Sequence, residues 1–222
     1  MINSRYGVSF LGLFTCTAWA SSVVIGLPAI VDSGNCIPFG CDALFGTTTY
    51  QQVYTASAFS GPFDIDGIDF FNTQFLNGGL PGGGVYTFTL SYTSESPGAL
   101  NLTNPLNNIG SGSQEFFSGA LPAISGDLMS FAGTPFLYNP ALGNLLLTVT
   151  ITGGTNGSTI LYLDQSQSAA QTSRAYFGTD TGGNDPGLVT QFDSAVPEPS
   201  FLIPTLTSLG ILGYIRKRKR SI

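Results

Sequence analysis

The densest group of oxygen ligands in the 222-residue chain is Asp64, Asp66 and Asp69, in the stretch Phe63-Asp64-Ile65-Asp66-Gly67-Ile68-Asp69. Hard cations such as Ca²⁺ take six to eight oxygens, and exported proteins often supply them from surface loops. The spacing is not that of an EF-hand, whose loop is longer and ends in Glu. Alternation offers a second reading: a strand with Ile65 facing inward, Asp64 and Asp66 facing solvent, and Gly67 permitting a bulge before Ile68. Three acids alone do not complete a calcium shell, so the strand reading is the one taken. Asp180, Asn184 and Asp185, in the loop at 179–186, form a second group of the same kind. Cys36 and Cys41 are a further reactive pair. In an oxidising compartment they would close a disulfide around Ile37-Pro38-Phe39-Gly40. The alternatives are free thiols or a redox pair, but four residues intervene rather than two, and no basic neighbour lowers a thiol pKa.

Other chemistries lack parts. The chain contains no His, which removes a Ser-His-Asp triad and His-ligated zinc. Paired carboxylates could act as acid and base in glycoside chemistry, but nothing in the sequence pairs any two of them. The run Gly78-Gly79-Leu80-Pro81-Gly82-Gly83-Gly84 has no Gly-Lys-Ser/Thr ending and precedes a strand pattern, so it reads as a hairpin loop or permissive turn and not as a phosphate loop. No organic cofactor and no enzymatic activity are expected. A sugar-binding face would need aromatic platforms. The sole Trp lies at position 19, and Tyr50, Tyr54, Tyr86, Tyr92, Tyr138, Tyr162 and Tyr176 remain, most of them in apolar alternation and so expected in a core.

The elements that would position these residues are strands. Residues 85–92 alternate strictly, with Tyr86, Phe88, Leu90 and Tyr92 on one face, and 144–151 repeat the pattern with Leu145, Leu147, Val149 and Ile151. Further strand patterns lie at 48–59, 63–71, 114–117, 159–163, 174–177 and 188–192, separated by Gly, Asn, Asp and Pro. Many short strands without helical periodicity predict an all-β body, a two-sheet β-sandwich of jelly-roll-like form, over residues 21–195. Only 9% of residues are charged, against about 25% on average. Residues 21–200 hold all 13 acids and one base, Arg174, a net charge of −12. So acidic a body repels phosphate backbones, and nucleic acid is excluded as a partner.

The remaining bases sit at the two ends. Residues 1–20 read as a signal peptide: Arg5 is the positive start, 8–16 the apolar stretch, and Ala18-Trp19-Ala20 the small-x-small pattern cut by signal peptidase, with Ser21 as the new N-terminus. An N-terminal anchor helix is the alternative, but the stretch is short for a span of about 30 Å. The C-terminus has three parts in order. Val196-Pro197-Glu198-Pro199 is extended punctuation. Residues 201–215 are apolar and uncharged, about 22 Å long as a helix, and are read as a short transmembrane helix interrupted by Pro204, Gly210 and Gly213. Arg216, Lys217, Arg218, Lys219 and Arg220 then form a basic stop that stays cytoplasmic. An ordinary tail anchor after a Pro-rich linker would be the plain alternative.

This three-part order over 196–220, together with an N-terminal signal, resembles the PEP-CTERM sorting signal of exported proteins in Gram-negative bacteria, often ones that make extracellular polysaccharide. The resemblance implies that an exosortase in the inner membrane recognises the motif and removes the tail. Pro204 departs from the commoner Leu/Ala/Gly-rich run. Body segments also resemble a recurrent group of PEP-CTERM proteins: Tyr50-Gln51-Gln52-Val53-Tyr54, Phe59-Ser60-Gly61-Pro62, Ile68-Asp69-Phe70-Phe71, Phe136-Leu137-Tyr138-Asn139-Pro140, Gly143-Asn144-Leu145-Leu146-Leu147 and Gly187-Leu188-Val189-Thr190. That likeness implies no defined activity. The expectation is therefore a non-enzymatic surface or extracellular-matrix protein, held in the inner membrane as a precursor, then displayed at the cell surface or outside the cell and linked to polysaccharide or biofilm. A carbohydrate- or Ca²⁺-binding module is the alternative, and a carboxylate-dependent glycoside-active enzyme a third.

Overall fold

The computed structural model describes residues 21–27, 34–73, 79 and 81–194. Ala18 and Ala20, the sorting motif Val196 to Pro199, the apolar segment 201–215 and the basic stop Arg216 to Arg220 lie outside the described residues. Residues Ala20–Ala195 form one compact unit.

The described residues of the unit form twelve strands: β1 (Ser21–Ile25), β2 (Gly34–Asn35), β3 (Thr47–Tyr54), β4 (Phe63–Phe71), β5 (Gly83–Thr93), β6 (Gln114–Gly119), β7 (Leu128–Tyr138), β8 (Asn144–Thr155), β9 (Leu163–Asp164), β10 (Thr172–Gly178), β11 (Gly182–Pro186) and β12 (Thr190–Ser194). Among the described residues the one α-helical turn, α1, is Asp42–Phe45, ended by Gly46 in the left-handed region. A four-stranded sheet runs β1-β12-β4-β7, a six-stranded sheet runs β11-β10-β3-β8-β5-β6, and β2 pairs with β9. All pairings are antiparallel. No helix among the described residues is long and apolar enough to cross a membrane.

The two larger sheets pack face to face. Tyr86, Phe88, Leu90 and Tyr92 on β5, and Leu145, Leu147, Val149 and Ile151 on β8, all point into the core, as their alternation predicts. From the other sheet come Ile25, Ile65, Ile68, Phe70, Met129, Phe131 and Phe192. Rings meet across the interface: Phe88 and Phe131 have centroids 4.5 Å apart, and Tyr54 meets Phe192 edge-on at 4.9 Å. Five of the seven tyrosines singled out above, Tyr50, Tyr54, Tyr86, Tyr92 and Tyr138, are buried.

Four features differ from the sequence expectation. β7 carries Gly133 and Pro135, which hide its strand pattern; it lies at the edge of its sheet, where a missing ladder donor is tolerated. The segment 179–187, read as loop, contains β11, an edge strand of Gly-Gly-Asn-Asp-Pro with Gly183 and Asn184 at positive φ. Of 159–163, read as a strand, only Leu163 is in one. The Gly-rich run at 78–84 does not separate two hairpin partners, because β4 before it and β5 after it belong to different sheets. Its Gly82 is needed for close approach, because a Cβ there would lie 2.7 Å from the Thr155 carbonyl oxygen and 3.0 Å from Asp42.

Part of the outer face of the six-stranded sheet is covered. The segment between β5 and β6 lies over it, placing Leu100, Leu102 and Ile109 against Val53, Leu146, Ala175 and Phe177. Gln51 on β3 fixes this cover: its amide donates to the Pro105 carbonyl at 3.0 Å and accepts from Asn108 at 2.7 Å. Asn184 adds a two-way bond to the Leu100 backbone. This is why Leu146 and Thr148 are buried although they face away from the main core.

Candidate functional site

Strand alternation on β4 puts Ile65, Ile68 and Phe70 in the core and Asp64 and Asp69 on the outer face of the four-stranded sheet. Two inward residues three apart require an irregularity between them. It occurs between Ile65 and Gly67, where the partner jumps from Phe136 to Ala132, so the extra residues belong to β7 around Gly133 and Pro135. The expected bulge is present at this point, but the neighbouring strand supplies it.

The three acids do not converge. Asp64 is exposed opposite Leu137, Asp66 is half-buried, and Asp69 is 8% exposed, flanked by Gln191 on β12 and Ser130 on β7. Asp69 instead meets Asp193 of β12. The Gln191 amide reaches both carboxylates, donating to Asp193 Oδ1 at 2.9 Å and lying 3.5 Å from Asp69 Oδ2. Burial pushes the Asp193 carboxyl above the usual carboxylate range, and the hydrogen bond and charge of Asp69 push it further. Asp193 therefore holds its proton more tightly than an ordinary aspartate. Among the described residues no three or more His, Cys, Asp or Glu gather as a metal site. The second acidic group is also divided: Asn184 is spent on Leu100, and Asp185 lies 3.9 Å from the Arg174 guanidinium, which also sits over the Tyr176 ring at 5.7 Å.

Sequence reasoning could not have paired Asp69 with Asp193. The signal, legible only in retrospect, is that both sit at outward positions of strands whose register puts Asp69 beside Gln191 and Gly67 beside Asp193. The pair lies on an open sheet face, with short neighbours Ser22, Ser130 and Ala132.

Two polar groups lie deeper. Cys36 and Cys41 are joined in a disulfide, with Cα atoms 5.3 Å apart. Next to it Asp42 is fully buried, with Oδ1 accepting from the Tyr86 hydroxyl at 3.2 Å. Its carboxyl rests against Gly154, where a Cβ would stand 2.2 Å from Oδ2. Burial raises the Asp42 carboxyl above its ordinary value; the Tyr86 bond opposes this only in part. The second group centres on Gln52 of β3. Its amide donates to the Leu188 carbonyl at 2.7 Å, Thr172 Oγ1 at 2.9 Å and Thr190 Oγ1 at 3.3 Å, and accepts from the Leu188 N–H at 2.9 Å and the Tyr50 hydroxyl. A fully buried amide thus fastens β3 of one sheet to the residues that lead into β12 of the other. Neither group faces a cleft, so each reads as internal bracing. No protein-family model matches the chain, nor does any curated protein or solved structure match it significantly.

Proposed function

We propose that this chain is an exported, exosortase-processed protein of the bacterial cell surface or extracellular matrix, structural or interactive in kind and not enzymatic. The observation that carries the reading is the layout of the chain. The compact unit Ala20–Ala195 has its first strand starting at Ser21 and its last ending at Ser194. It thus fills the interval between the Ala18-Trp19-Ala20 cleavage pattern and Val196-Pro197-Glu198-Pro199. The disulfide adds support, since such bonds persist in oxidising compartments. The body is read as a jelly roll. Taking β1, β3, β4, β5, β6, β7, β8 and β12 as its eight strands, one sheet runs first-eighth-third-sixth and the other second-seventh-fourth-fifth. The strands β10 and β11 extend the second sheet. Residues 201–215 are the proposed membrane helix of the precursor.

The carbohydrate-binding alternative draws less support. Part of the outer face of the six-stranded sheet, around Val53, Leu146, Ala175 and Phe177, is occupied by the chain's own cover, and most tyrosines brace the core. The processing claim is tested by replacing Pro197, Glu198 and Pro199 with Ala, which leaves the apolar run and the basic stop intact. Full-length precursor should accumulate in the inner membrane. Trimming and release as efficient as in the wild type would reduce the motif to a linker. A glycan array read with and without EDTA tests the binding alternative: binding to a defined glycan that EDTA abolishes would replace the structural reading by a Ca²⁺-dependent lectin-like one.

A further inference from the structure

We infer that the Cys36–Cys41 disulfide is an oxidation-gated keystone: it seats Phe39 between the two sheets, so the sandwich core closes fully only after the chain has met an oxidant. The gating by compartment rests on the export reading; the coupling between cross-link and ring does not.

Phe39 is 1% exposed, although it lies in a six-residue loop and in no strand. Its ring contacts both sheets. Phe70 on β4 and Phe131 on β7 lie at centroid distances of 5.0 and 5.8 Å, and Phe88 and Tyr86 on β5 at 5.8 and 6.1 Å. Four aromatic side chains therefore converge on a ring that no strand holds. What holds it is the loop. Gly40 N–H and Cys41 N–H both donate to the Cys36 carbonyl, at 2.7 and 3.2 Å, and the Phe39 carbonyl accepts from Gly82 at 2.8 Å. Gly40 lies flush on the backbone of Leu161, with no room for a Cβ. Cys41 is itself fully buried among the core residues. The cross-link thus fixes the two ends of a loop whose only deeply inserted ring completes the centre of the core.

The chemistry is thiol–disulfide exchange. The thiolate of one cysteine attacks the disulfide of an oxidising protein or small molecule, giving a mixed disulfide and one free thiol on the donor. The second thiolate then displaces the donor's remaining sulfur. The two cysteines lose two protons and two electrons, and the donor leaves as a dithiol. In a reducing cytoplasm the donor is absent, so the loop stays open, Phe39 is unseated more of the time and the chain remains less folded. Once the core has closed, Cys41 is inaccessible and only the half-buried Cys36 can be approached by a reductant.

A cross-link restricts the unfolded chain in every case, but it stabilises the fold only where its loop is ordered in the native state. If the loop is ordered chiefly because Phe39 is seated, the cross-link and the ring must be coupled. The test is a double-mutant cycle on mature protein purified from exporting cells and unfolded in urea: wild type, Cys36→Ser/Cys41→Ser, Phe39→Ala, and the triple variant. Replacing the cysteines in the wild-type background should lower the folded-to-unfolded ratio by on the order of 40-fold, the chain-entropy value for so short a loop. In the Phe39→Ala background the same replacement should cost at least about tenfold less. Phe39→Leu replaces Phe39→Ala if the latter does not fold, and should also shrink the cost of losing the cross-link. Additivity of the two changes to within about twofold would overturn the inference. Resistance of the reduced wild type to limited proteolysis, equal to that of the oxidised protein, would do the same. Absence of the protein from the envelope would count against the export reading alone, because the cycle and the proteolysis are both read on purified protein.

Discussion

Replacing Gln52 with Leu tests whether the two sheets are fastened by a buried polar clasp as well as by apolar contact. The side chains are similar in volume, so little cavity or overpacking arises. What changes is satisfaction. The Leu188 N–H loses the Gln52 Oε1 acceptor at 2.9 Å, and the Tyr50 hydroxyl loses its acceptor as well. The Leu188 carbonyl keeps a donor in Thr190 Oγ1 at 3.0 Å, and Thr190 keeps Tyr54, also at 3.0 Å, so neither of these is orphaned, whereas Thr172 Oγ1 loses its Gln52 donor at 2.9 Å. Two buried donors without acceptors cost about 1–3 kcal/mol each, and the added apolar burial returns about 1 kcal/mol. The net loss is about 1–5 kcal/mol, a large part of a typical domain's stability. Urea unfolding of the mature protein reads it directly. The midpoint should fall with the slope unchanged, since the same surface is exposed on unfolding. A loss under about 1 kcal/mol would refute the clasp, and would mean that the segment leading into β12 is held by its apolar residues alone.

Three further outcomes follow from the same geometry. Asp42→Asn should change the pH dependence of stability. The folded-state pKa of Asp42 lies above its unfolded value, so the contribution of Asp42 to stability is full below its ordinary value and is lost as pH rises through the raised value. Urea midpoints measured from pH 3 to pH 8 should therefore fall less in the variant. Asp69→Asn should bring the Asp193 carboxyl down towards its ordinary range, because it removes a neighbouring negative charge; an NMR titration of the Asp193 side chain would show this. Gly40→Ala should destabilise by about 1–3 kcal/mol in urea, because its Cβ would stand 2.1 Å from the Leu161 carbonyl oxygen and the contact is with backbone.

Strands with strict alternation were fully legible. In β5 and β8 the alternating residues Tyr86, Phe88, Leu90, Tyr92, Leu145, Leu147, Val149 and Ile151 all point into the core, because period two is the geometry of the pleat. β7 was illegible for the opposite reason. Gly133 and Pro135 break the pattern, yet they are what an edge strand with a register jump can accommodate. The disulfide could be read from two cysteines and a compartment, but not the depth of Phe39, since nothing local marks a loop ring as central. Gln51 and Gln52 look alike in sequence, but alternation sends them to opposite faces. One pins the outer cover and the other braces the core, and only long-range register reveals which partners each finds. The acid pair was hidden in the same way, because β4 and β12 are adjacent in the sheet but far apart in the chain.

On the proposed function, the body is cut free at both ends as it travels outward. The most direct measurement is intact mass spectrometry of the protein recovered from each cell fraction, with terminal peptides assigned. The surface or extracellular species should begin at Ser21, carry the Cys36–Cys41 cross-link and lack residues 201–222. A species beginning at Met1 and ending at Ile222, recovered from the cytoplasm as the only form, would contradict it.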